Sequence, residues 1–564
     1  ISCEILNLIC GEKQKEFSVA KNGKQTKYIF VTGGVLSGLG KGIAAASLGA
    51  LLRARGFSVG VMKSDPYLNT DAGTLNPAEH GEVFVTVDGA ETDLDLGHYE
   101  RFLDIETTQS SSLMNGRVYA NLIADERAGR YLGKTVQVIP HVTDLIQKWV
   151  VEAGKDYDIF IIEIGGTVGD YESLANIDAI RQFQYKVGRD NVICAHLVYL
   201  PYLEASKELK TKPAQNSVRD LRAAGVYPDI IFARADKPVN EHVINKISLF
   251  CRLDEDAIVA LPTAKSVYQV PLTLEASGIA DYVCKYFGLK ASKPNLKDWK
   301  HLNEVIFDAD KPTKTIGVVA KYLDHEDTYM SVVEAIKAAA WSHSYGASIK
   351  WIDAEKIESD GADKHLKGLD GIVVPGGFGS RGVEGKIAAS RFARKNNVPY
   401  LGLCLGMQVA VIDVAREALK DESANTVEID PQTKHPVIAL MDDQKNIVDM
   451  GGTMRLGNYK CELDSKSVAA KAYKSTSIEE RHRHRYEFNN KYRDVVEKAG
   501  LKVVGQSPDK KLVELVELVD HPFFVASQFH PEFTSRPNRP NPLFKSFFEA
   551  VVKTKNAPAV GSKI

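Results

Sequence analysis

The clearest chemistry in this chain belongs to a cysteine that stands between two glycines. Residues 399–412, PYLGLCLGMQVAVI, predict a strand, a G-x-C-x-G turn and an apolar helix, which is the layout of a nucleophile elbow. The start of a helix favours a thiolate at Cys404, and the backbone N–H groups that follow it can receive an oxyanion. A buried structural cysteine is the alternative interpretation.

A nucleophilic cysteine needs a base and a group that orients the base. Residues 524–533, FVASQFHPEF, offer His530 and Glu532 after a strand-like run. A glycine turn at 373–379, also after a predicted strand, could donate N–H groups to an oxyanion. Together these segments predict a site that forms a thioester with an amide or ester. Without the elbow, His-Pro-Glu would be typical of a surface loop.

A second candidate site, near the start of the chain, fits a polyphosphate. Residues 28–52, YIFVTGGVLSGLGKGIAAASLGALL, predict a buried strand, a glycine-rich turn and a helix. The glycines allow backbone N–H groups to approach phosphate oxygens, and Lys41 adds a full positive charge. Five residues separate Gly34 from Gly40, one more than in the strict phosphate loop, and Gly42 replaces the usual Ser or Thr. An ordinary glycine-rich turn is the alternative.

Because that hydroxyl group is missing, acidic residues elsewhere must hold any Mg²⁺. Glu163 lies near the end of an apolar run, 157–166, as expected for a central strand that delivers a carboxylate to its C-terminal edge. Asp95 lies in an acid-rich stretch, 64–102, that we expect to be irregular. Two carboxylates with phosphate oxygens suffice for Mg²⁺, so Asp95 and Glu163 are the predicted ligands. A solvated acidic loop and a turn-capping glutamate are the alternatives.

Basic residues form two further candidates. Lys210 and Lys212 lie on a predicted extended segment, ahead of a helix capped by one of residues 216–217, and would point the same way, which suits a triphosphate. Lys246, on a predicted helix, could add its charge to the same pocket. The run RHRHR at 481–485 could bind a carboxylate or a phosphate. A solvated strand edge and a solvated face are the alternatives.

Composition limits the classes of function. With 71 Lys plus Arg against 73 Asp plus Glu, the net charge is -2, so no global field recruits nucleic acid or a membrane surface. The seven scattered cysteines include no C-x-x-C pair, which indicates a reducing compartment. No apolar run approaches the roughly 20 residues needed to span a bilayer. The first residues lack the pattern of a signal peptide, so we expect a cytoplasmic protein without membrane or nucleic-acid partners.

Strand-like runs alternate with helical patterns in both halves of the chain, which predicts two α/β domains with parallel sheets. One half would hold a magnesium nucleotide, and the other would release nitrogen from an amide. Ammonia in water is mostly protonated, so a guarded path between the two sites would be an advantage. The predicted parts are an N-terminal arm (1–27), a nucleotide-binding domain (28–290), a linker (291–314), a thiol domain (315–553) and a tail (554–564).

From residue 28 to about 552 the chain resembles the CTP synthase family of glutamine-dependent amidotransferases. The resemblance rests on GGVLSGLGKG, HGEVFVTVDGAETDLDLGHYERF, IEIGGTVGD, KTKPAQ, PGGFGSRG, GLCLGMQVA, RHRHRYE and QFHPEF. It implies a synthase domain similar to dethiobiotin synthetase and a class I glutamine amidotransferase domain. It also implies that ATP phosphorylates O4 of UTP and that ammonia from glutamine displaces the phosphate to give CTP, with Mg²⁺, GTP as activator, CTP as feedback inhibitor, and a homotetramer that can form filaments.

The resemblance also implies roles for individual residues. Cys404 would be the nucleophile, His530 the base and Glu532 its orienting partner, and Asp95 and Glu163 would hold Mg²⁺. Glutamine would be bound by Gly377, Leu405, Gly406, Met407, Gln408, Glu428 and Arg485. ATP would be bound by Gly38, Leu39, Gly40, Lys41, Gly42, Ile43 and Asp95, with Lys63 also on the phosphates. UTP and CTP would be bound by Ser37, Asp170, Tyr171, Glu172, Lys210, Thr211, Lys212, Pro213, Ala214, Gln215 and Lys246. The ammonia gate would be lined by Pro77, His80 and Val83, and GTP would be sensed by residues 129–135 and Arg381.

Four positions depart from the family's usual pattern: Ser64, Tyr171, Ala214 and Asn216. None of these departures removes a charge or a nucleophile, so we expect them to tune the affinity for UTP and CTP rather than to abolish activity. Two other interpretations stay open. One is a different ATP-dependent amidotransferase, such as a cobyrinic acid amidase, and the other is a non-catalytic scaffold that polymerises.

Overall fold

The structure is a computed structural model that describes residues 25–73, 75, 81–321, 323, 326–440 and 454–554. The chain divides into two compact units: Ile1–Thr74 with Asp95–Asn303, and Leu75–Leu94 with Glu304–Ile564. The segment Leu75–Leu94 therefore belongs to the second unit, although it lies inside the predicted synthase domain. Most of the predicted N-terminal arm and C-terminal tail lies outside the described residues. Among those that are described, no helix has the length and apolarity to cross a bilayer.

A seven-stranded sheet, parallel throughout, forms the centre of the first unit. Its strands are β1 (Lys27–Gly33), β2 (Val59–Asp65), β3 (Ser112–Met114), β4 (Ile159–Ile164), β5 (Val192–Leu200), β6 (Ile230–Ala235) and β7 (Ile258–Pro262). Their order across the sheet is β7-β6-β5-β1-β4-β2-β3. Every residue of β4 is buried, as expected for a central parallel strand covered by helices on its faces.

Ten α-helices accompany this sheet in the described part of the first unit, and the last of them extends four residues into the second. They are α1 (Lys41–Ala54), α2 (Asp95–Leu103), α3 (Asn115–Arg127), α4 (Thr143–Gly154), α5 (Leu174–Val187), α6 (Lys212–Ala223), α7 (Glu241–Cys251), α8 (Val270–Ala276), α9 (Ile279–Tyr286) and α10 (Lys297–Phe307). Two of them lie where the sequence predicted no regular structure. Helix α2 ends the acid-rich stretch, and α10 lies in the predicted linker, where its Trp299 is buried against Phe102 and Tyr268.

The start of α6 corrects a second prediction. The helix begins at Lys212, with Pro213 in its first turn, so neither Asn216 nor Ser217 caps it. Proline is favoured in the first turn because its missing N–H needs no partner there. Ser217 lies inside the helix and shares a 2.8 Å hydrogen bond with Nε2 of His196. The segment that holds Lys210 and Lys212 is therefore not one extended strand.

The second unit contains a nine-stranded sheet that is parallel in one half and antiparallel in the other. Its strands are β8 (Thr313–Ala320), β9 (Gly346–Asp353), β10 (Gly371–Val374), β11 (Tyr400–Leu403), β12 (Arg455–Leu463), β13 (Ser477–His484), β14 (Leu501–Gln506), β15 (Val513–Leu518) and β16 (Phe524–Ser527). The order is β9-β8-β10-β11-β16-β15-β14-β12-β13. The prediction of two α/β halves is confirmed, and the antiparallel strands were not predicted.

Helices and a small sheet complete the described part of the second unit. The helices are α11 (Met330–Trp341), α12 (Ala354–Asp360), α13 (Ala362–Leu366), α14 (Val383–Lys395), α15 (Leu405–Leu419), α16 (Val468–Tyr473), α17 (Arg493–Lys498) and α18 (Pro542–Lys553). The small sheet consists of Ala424–Thr426, His435–Ala439 and Glu487–Phe488. The parallel strands β10 and β11 end at the same edge of the large sheet, and each runs into a glycine-containing turn.

A short hairpin from Leu75–Leu94 packs within the second unit. Its strands, Phe84–Val85 and Glu91–Thr92, pair antiparallel, and we call them the 84–92 hairpin. Just before it, Glu82 accepts hydrogen bonds from the backbone N–H of Ser331 at the start of α11, at 3.1 and 3.2 Å. A carboxylate is favourable there because the N-terminus of a helix carries partial positive charge. Arg481 donates from a guanidinium nitrogen to the hairpin carbonyl of Val85 at 3.0 Å.

Candidate active sites

Cys404 lies at the sharp turn between β11 and α15. Its backbone has φ 52° and ψ −102°, a strained conformation for a residue other than glycine. The flanking glycines are required by close contacts: a Cβ on Gly402 would lie 2.7 Å from the backbone of Gly406, and a Cβ on Gly406 would lie 2.1 Å from the carbonyl oxygen of Val374. The strand, turn and helix predicted for residues 399–412 are thus present, with the cysteine at the start of α15.

His530 follows β16 and is held by Glu532, since Nδ1 of the imidazole lies 2.7 Å from Oε1 of the carboxylate. Burial by itself would lower the pKa of His530, but the charges of Glu532 and Cys404 outweigh it and raise the pKa to about 10. Among the described residues no atom makes a well-formed hydrogen bond to Nε2. The imidazole therefore has its second nitrogen available to exchange a proton close to the thiol.

The family resemblance implies glutamine hydrolysis at this site, and replacing Glu532 by glutamine is expected to lower kcat/KM for that reaction by about 10²- to 10⁴-fold, the range seen when the orienting carboxylate of a catalytic triad is neutralised. The carboxylate is the main group that raises the pKa of His530, so this pKa should fall. The imidazolium would then lose its proton at a lower pH, so the alkaline limb of the pH–rate profile should shift to lower pH. The measurement is the rate of glutamine hydrolysis against pH, and the control is the ammonia-dependent reaction that the resemblance implies for the first unit. An unchanged rate and alkaline limb would contradict this role.

Two further groups contact the sulfur of Cys404. The side-chain amide of Gln528 donates to Sγ at 3.6 Å, and the thiol is 3.8 Å from the carbonyl oxygen of Arg483. Gln408, in the first turn of α15, donates to Gln528 at 3.3 Å and to the carbonyl oxygen of Tyr486 at 3.1 Å. The thiol is therefore contacted by the end of β13 and by the residue that follows β16, and Gln408 of α15 holds the latter.

The glycine turn after β10 borders the same pair. A Cβ on Gly376 would lie 3.0 Å from Cε1 of His530 and 3.6 Å from Cβ of Cys404. Further along the turn, the N–H of Gly379 donates to Glu428 at 2.8 Å. The structure thus brings the turn that contains Gly377 together with Glu428, while Leu405, Gly406, Met407 and Gln408 form the helix start beside Cys404.

The basic run 481–485 is neither a solvated face nor a set of free anion-binding side chains. Arg481 and His482 are completely buried, and His484 is 5% exposed, with Nε2 2.8 Å from Glu487. Arg483 pairs with Glu91 of the 84–92 hairpin at 2.8 Å. The prediction fails for Arg481 through His484 because these residues form the end of β13, where their side chains face groups within the second unit.

The 84–92 hairpin also reaches the base through aromatic rings. Phe84 is fully buried and meets Phe533 edge-on, with ring centroids 5.0 Å apart. Phe533 in turn stacks on the imidazole of His530, at 5.2 Å and an interplanar angle of 17°. The guanidinium group of Arg481 lies 5.3 Å from the centroid of the Phe84 ring. The ring of Phe533 covers one face of the imidazole, and Phe84 supports that ring from the hairpin. The 84–92 hairpin therefore contributes to the orientation of His530.

Replacing Phe84 by leucine is expected to lower kcat for glutamine hydrolysis by about tenfold, because a displaced base loses much of the general acid–base contribution of about 10²- to 10⁴-fold. Leucine keeps an apolar core and avoids the larger cavity of alanine. The measurement is steady-state glutaminase kinetics, with Phe102→Leu, a buried phenylalanine of the first unit, as the matched control. Equal glutaminase rates in the two variants would show that the ring stack does not orient His530.

In the first unit, the predicted phosphate loop lies between β1 and α1. Gly38 and Gly40 have φ of 71° and 93°, conformations that favour glycine, and Ser37 is exposed on the same loop. Lys41 opens α1 and is buried, and its Nζ donates to the carbonyl oxygen of Gly166 at 2.8 Å. Burial lowers the pKa of Lys41, and the charge of Glu163 opposes that effect.

Asp95 and Glu163 converge at the start of α1. A Cβ on Gly42 would lie 2.5 Å from Oδ1 of Asp95 and 3.1 Å from Oε2 of Glu163. Nζ of Lys63, on β2, contacts both carboxylates, and Tyr99 donates to Glu163. Burial would raise the pKa of Asp95, but Lys63, His98 and Lys41 together outweigh that effect, and the pKa lies below its usual value. Two hard oxygen donors that share one cation fit Mg²⁺.

Some of the residues predicted to bind UTP and CTP lie around the phosphate loop. Helix α6, whose first turn holds Lys212, Pro213, Ala214 and Gln215, packs on the loop, since a Cβ on Gly34 would lie 1.6 Å from Oγ of Ser217. Lys210, just before α6, pairs with Glu208 and is the main cause of the lowered pKa of that glutamate. The charge of Lys246, on α7, makes a smaller contribution in the same direction. Asp170 accepts from the N–H of Thr167 at 2.9 Å, and Tyr171 is 90% exposed.

The remaining predicted sites are less complete. Val83 is buried in the second unit, but Pro77 and His80 lie outside the described residues. Residues 129–135 belong to the first unit and Arg381 to the second. Arg381 pairs with Glu355 at 2.9 Å and donates to the carbonyl oxygen of Lys321 at 3.0 Å.

Comparison with known proteins decides the family. Residues 27–289 match the model described as CTP synthase N-terminus, and residues 325–550 match glutamine amidotransferase class-I. The CTP synthase of Carboxydothermus hydrogenoformans is 53% identical over 531 residues, which cover 94% of this chain and 99% of that protein. The chain belongs to the CTP synthase family. The CTP synthase of Bacillus subtilis is 50% identical, with coverage of 94% and 99%.

A solved structure of the same family covers part of the chain. The glutaminase domain of Trypanosoma brucei CTPS with bound acivicin is 41% identical and matches with a TM-score of 0.41. The match covers 43% of this chain and 96% of that one.

Several residues near the two sites of this CTP synthase family member were not identified from sequence. Gln528 lies within the quoted QFHPEF motif and could have been noticed there. Tyr99 likewise lies in a quoted string, one helical turn after Asp95. Phe84 lies in the same string as Tyr99, but nothing in the sequence places it next to the aromatic partner of His530. Lys386, whose Nζ binds the carbonyl oxygens of Pro375 and Gly376, gave no signal, because its position depends on long-range packing.

Proposed function

We propose that this chain converts UTP to CTP, using ATP to activate the uracil oxygen and glutamine as the source of nitrogen. The observation that carries this function is the Cys404, His530 and Glu532 arrangement in a chain whose other unit has a phosphate loop with two carboxylates. Family membership supports the choice of UTP and glutamine over other nucleotides and amides. A lone thiol site would support only an amidase.

In the second unit, the thiol of Cys404 gives its proton to His530, and the sulfur attacks the carboxamide carbon of glutamine. A C–S bond forms, and the carbonyl π electrons become an oxyanion. The oxyanion then collapses, the imidazolium gives its proton to the departing nitrogen, and ammonia leaves. Water, deprotonated by His530, hydrolyses the thioester to glutamate. Glu532 holds the imidazole in position and stabilises its charged form throughout.

The side chains that would hold glutamine surround this pair. Glu428 and Arg485 would bind the charged amino and carboxylate ends, since opposite charges there would orient the carboxamide toward the thiol. The turn at Gly377 and the helix start from Leu405 to Gln408 would face the reacting carbonyl. This pocket supports an amino acid amide rather than a simple amide.

In the first unit, Lys41 and Lys63 would hold phosphate oxygens of ATP, with Gly38, Leu39, Gly40, Gly42 and Ile43 giving backbone contacts. The γ-phosphoryl group moves to O4 of UTP, which makes O4 a good leaving group. Ammonia then adds at C4 and phosphate departs, so the C–O bond is replaced by a C–N bond. Asp95 and Glu163 would hold Mg²⁺, which supplies charge neutralisation on the phosphates.

Recognition of UTP and feedback by CTP would involve Ser37, the acids Asp170 and Glu172, and the basic residues Lys210, Lys212 and Lys246. GTP would act as activator through residues 129–135 and Arg381, and the chain would assemble as a homotetramer able to form filaments. The family resemblance supports these finer assignments. The scattered cysteines support a cytoplasmic location.

Conversion of UTP to CTP, followed spectroscopically with ATP, Mg²⁺ and glutamine, tests the proposal. We expect CTP to form only when all four are present, with ammonia able to replace glutamine. A panel of other nucleotides and a cobyrinic acid substrate separates the alternative amidotransferase. Glutaminase turnover with and without GTP separates the non-catalytic scaffold. Glutamine hydrolysis without any UTP consumption would contradict the proposed reaction.

A further inference from the structure

Lys386 is a buried lysine on α14 that the proposed mechanism does not use. Its side chain is completely buried, and Nζ donates to the carbonyl oxygens of Pro375 at 3.0 Å and Gly376 at 3.4 Å. Burial, together with the like charge of Lys321, lowers its pKa to about 7, while the charge of Cys404 acts in the opposite direction. Among the described residues, no carboxylate raises the pKa of Lys386.

A buried ammonium group without a carboxylate destabilises a folded protein, so its position calls for a compensating interaction. The compensation here comes from backbone carbonyls of the turn 375–379. Lys386 binds two of them from one side, and Lys321 binds those of Phe378 and Gly379. Four of the five carbonyls in this turn therefore face the two lysines.

The orientation of these carbonyls determines where the N–H groups point. In a trans peptide the N–H and the C=O of one unit point in opposite directions. Since the carbonyls of Pro375 and Gly376 face Lys386, the N–H groups of Gly376 and Gly377 point away from α14. Among the described residues neither N–H has an acceptor. The same turn borders the thiol, because a Cβ on Gly376 would lie 3.6 Å from Cβ of Cys404.

We propose that Lys386 is a positioning residue of the glutaminase site: it holds the turn 375–379 so that the N–H groups of Gly376 and Gly377 receive the oxyanion formed when Cys404 attacks glutamine. The inference rests on the proposed function. Lys386 transfers no proton and touches no reacting atom. It acts by preorganising donors that would otherwise be free to turn, and such donors stabilise the transition state more than the bound substrate.

The test compares Lys386→Met with Lys395→Met, an exposed lysine on the same helix that pairs with Glu417. For Lys386→Met we expect kcat for glutamine hydrolysis to fall about 10- to 100-fold, somewhat less than the loss of an oxyanion donor itself. KM should change by less than about threefold, and ammonia-dependent CTP formation should be unchanged. Lys395→Met should match the parent chain. A rate for Lys386→Met within twofold of that control overturns the proposal.

Binding of glutamate γ-semialdehyde distinguishes positioning from general damage. This aldehyde forms a tetrahedral adduct with a thiol, so its affinity should weaken with kcat/KM across the variants, whereas KM should not. If Lys386→Met fails to fold, a crystal structure of the parent chain with the adduct decides. The proposal requires Lys386 to stay on the two carbonyls and the adduct oxygen to lie within hydrogen-bond distance of N–H of Gly376 or Gly377. An adduct oxygen that accepts from neither of these N–H groups overturns it. A parent chain without glutaminase activity would instead refute the proposed function.

Discussion

Replacing Cys404 by alanine is expected to abolish CTP formation from glutamine and to leave formation from ammonia largely intact. Without the sulfur no thioester forms, and loss of a catalytic nucleophile lowers kcat by on the order of 10⁶-fold in a triad enzyme. Alanine keeps a small residue at the strained turn with φ 52°, so the elbow should retain its shape. The measurement is the rate of CTP formation with each nitrogen source.

Cys461→Ala is a suitable control for this prediction, because Cys461 is also buried in the second unit but lies on β12, outside the elbow. It should keep both activities. Loss of the ammonia-dependent reaction in Cys404→Ala, with the control intact, would count against two separate sites. Retained glutamine use would show that another residue is the nucleophile.

Replacing Lys41 by methionine should abolish CTP formation from both nitrogen sources. Both routes need the phosphorylated intermediate, and a buried ammonium at the start of α1 supplies charge that neutral donors cannot replace. We expect a loss of about 10³-fold or more in the rate, comparable to removing a cationic group that stabilises phosphoryl transfer. Methionine keeps the length and apolar stem, so packing under the loop is preserved.

Basal glutamine hydrolysis in Lys41→Met reports on the second unit and should persist. The matched control is Lys300→Met, an exposed lysine on α10 of the first unit. Activity of Lys41→Met close to that of the control would remove the phosphate-loop interpretation. Loss of basal hydrolysis as well would indicate a folding defect, which a thermal melt of each variant would reveal.

The features that could be predicted from sequence are those encoded within one contiguous segment. The elbow at Cys404 and the carboxylate at the end of β4 each follow from a strand and what comes directly after it. The start of α6 was misplaced, because Pro213 can open a helix as readily as it can precede one. Helix α2 was not predicted, since its first residue, Asp95, belongs to a stretch rich in turn-forming residues.

Long-range packing explains the remaining differences. The run 481–485 reads as exposed because it is rich in arginine, whose side chain is mostly exposed in folded proteins. Its burial depends on Val85 and Glu91, which lie almost 400 positions earlier in the chain. Lys386 is similar: nothing in its local sequence distinguishes it from Lys395 on the same helix. Burial of a charge is a property of the surroundings in three dimensions, and single-sequence patterns do not report it.

The placement of the 84–92 hairpin has a consequence for biosynthesis. Val85 is translated 396 residues before Arg481, which binds its carbonyl, so the nascent chain carries Phe84 without its aromatic partner until nearly the whole protein has been made. The first unit can complete its own sheet during that interval, but the second cannot finish folding until its last strands emerge. Cleavage at a single peptide bond near Asn303 would therefore separate the hairpin from the residues on which it packs. Full glutaminase activity should return only after the two fragments are recombined.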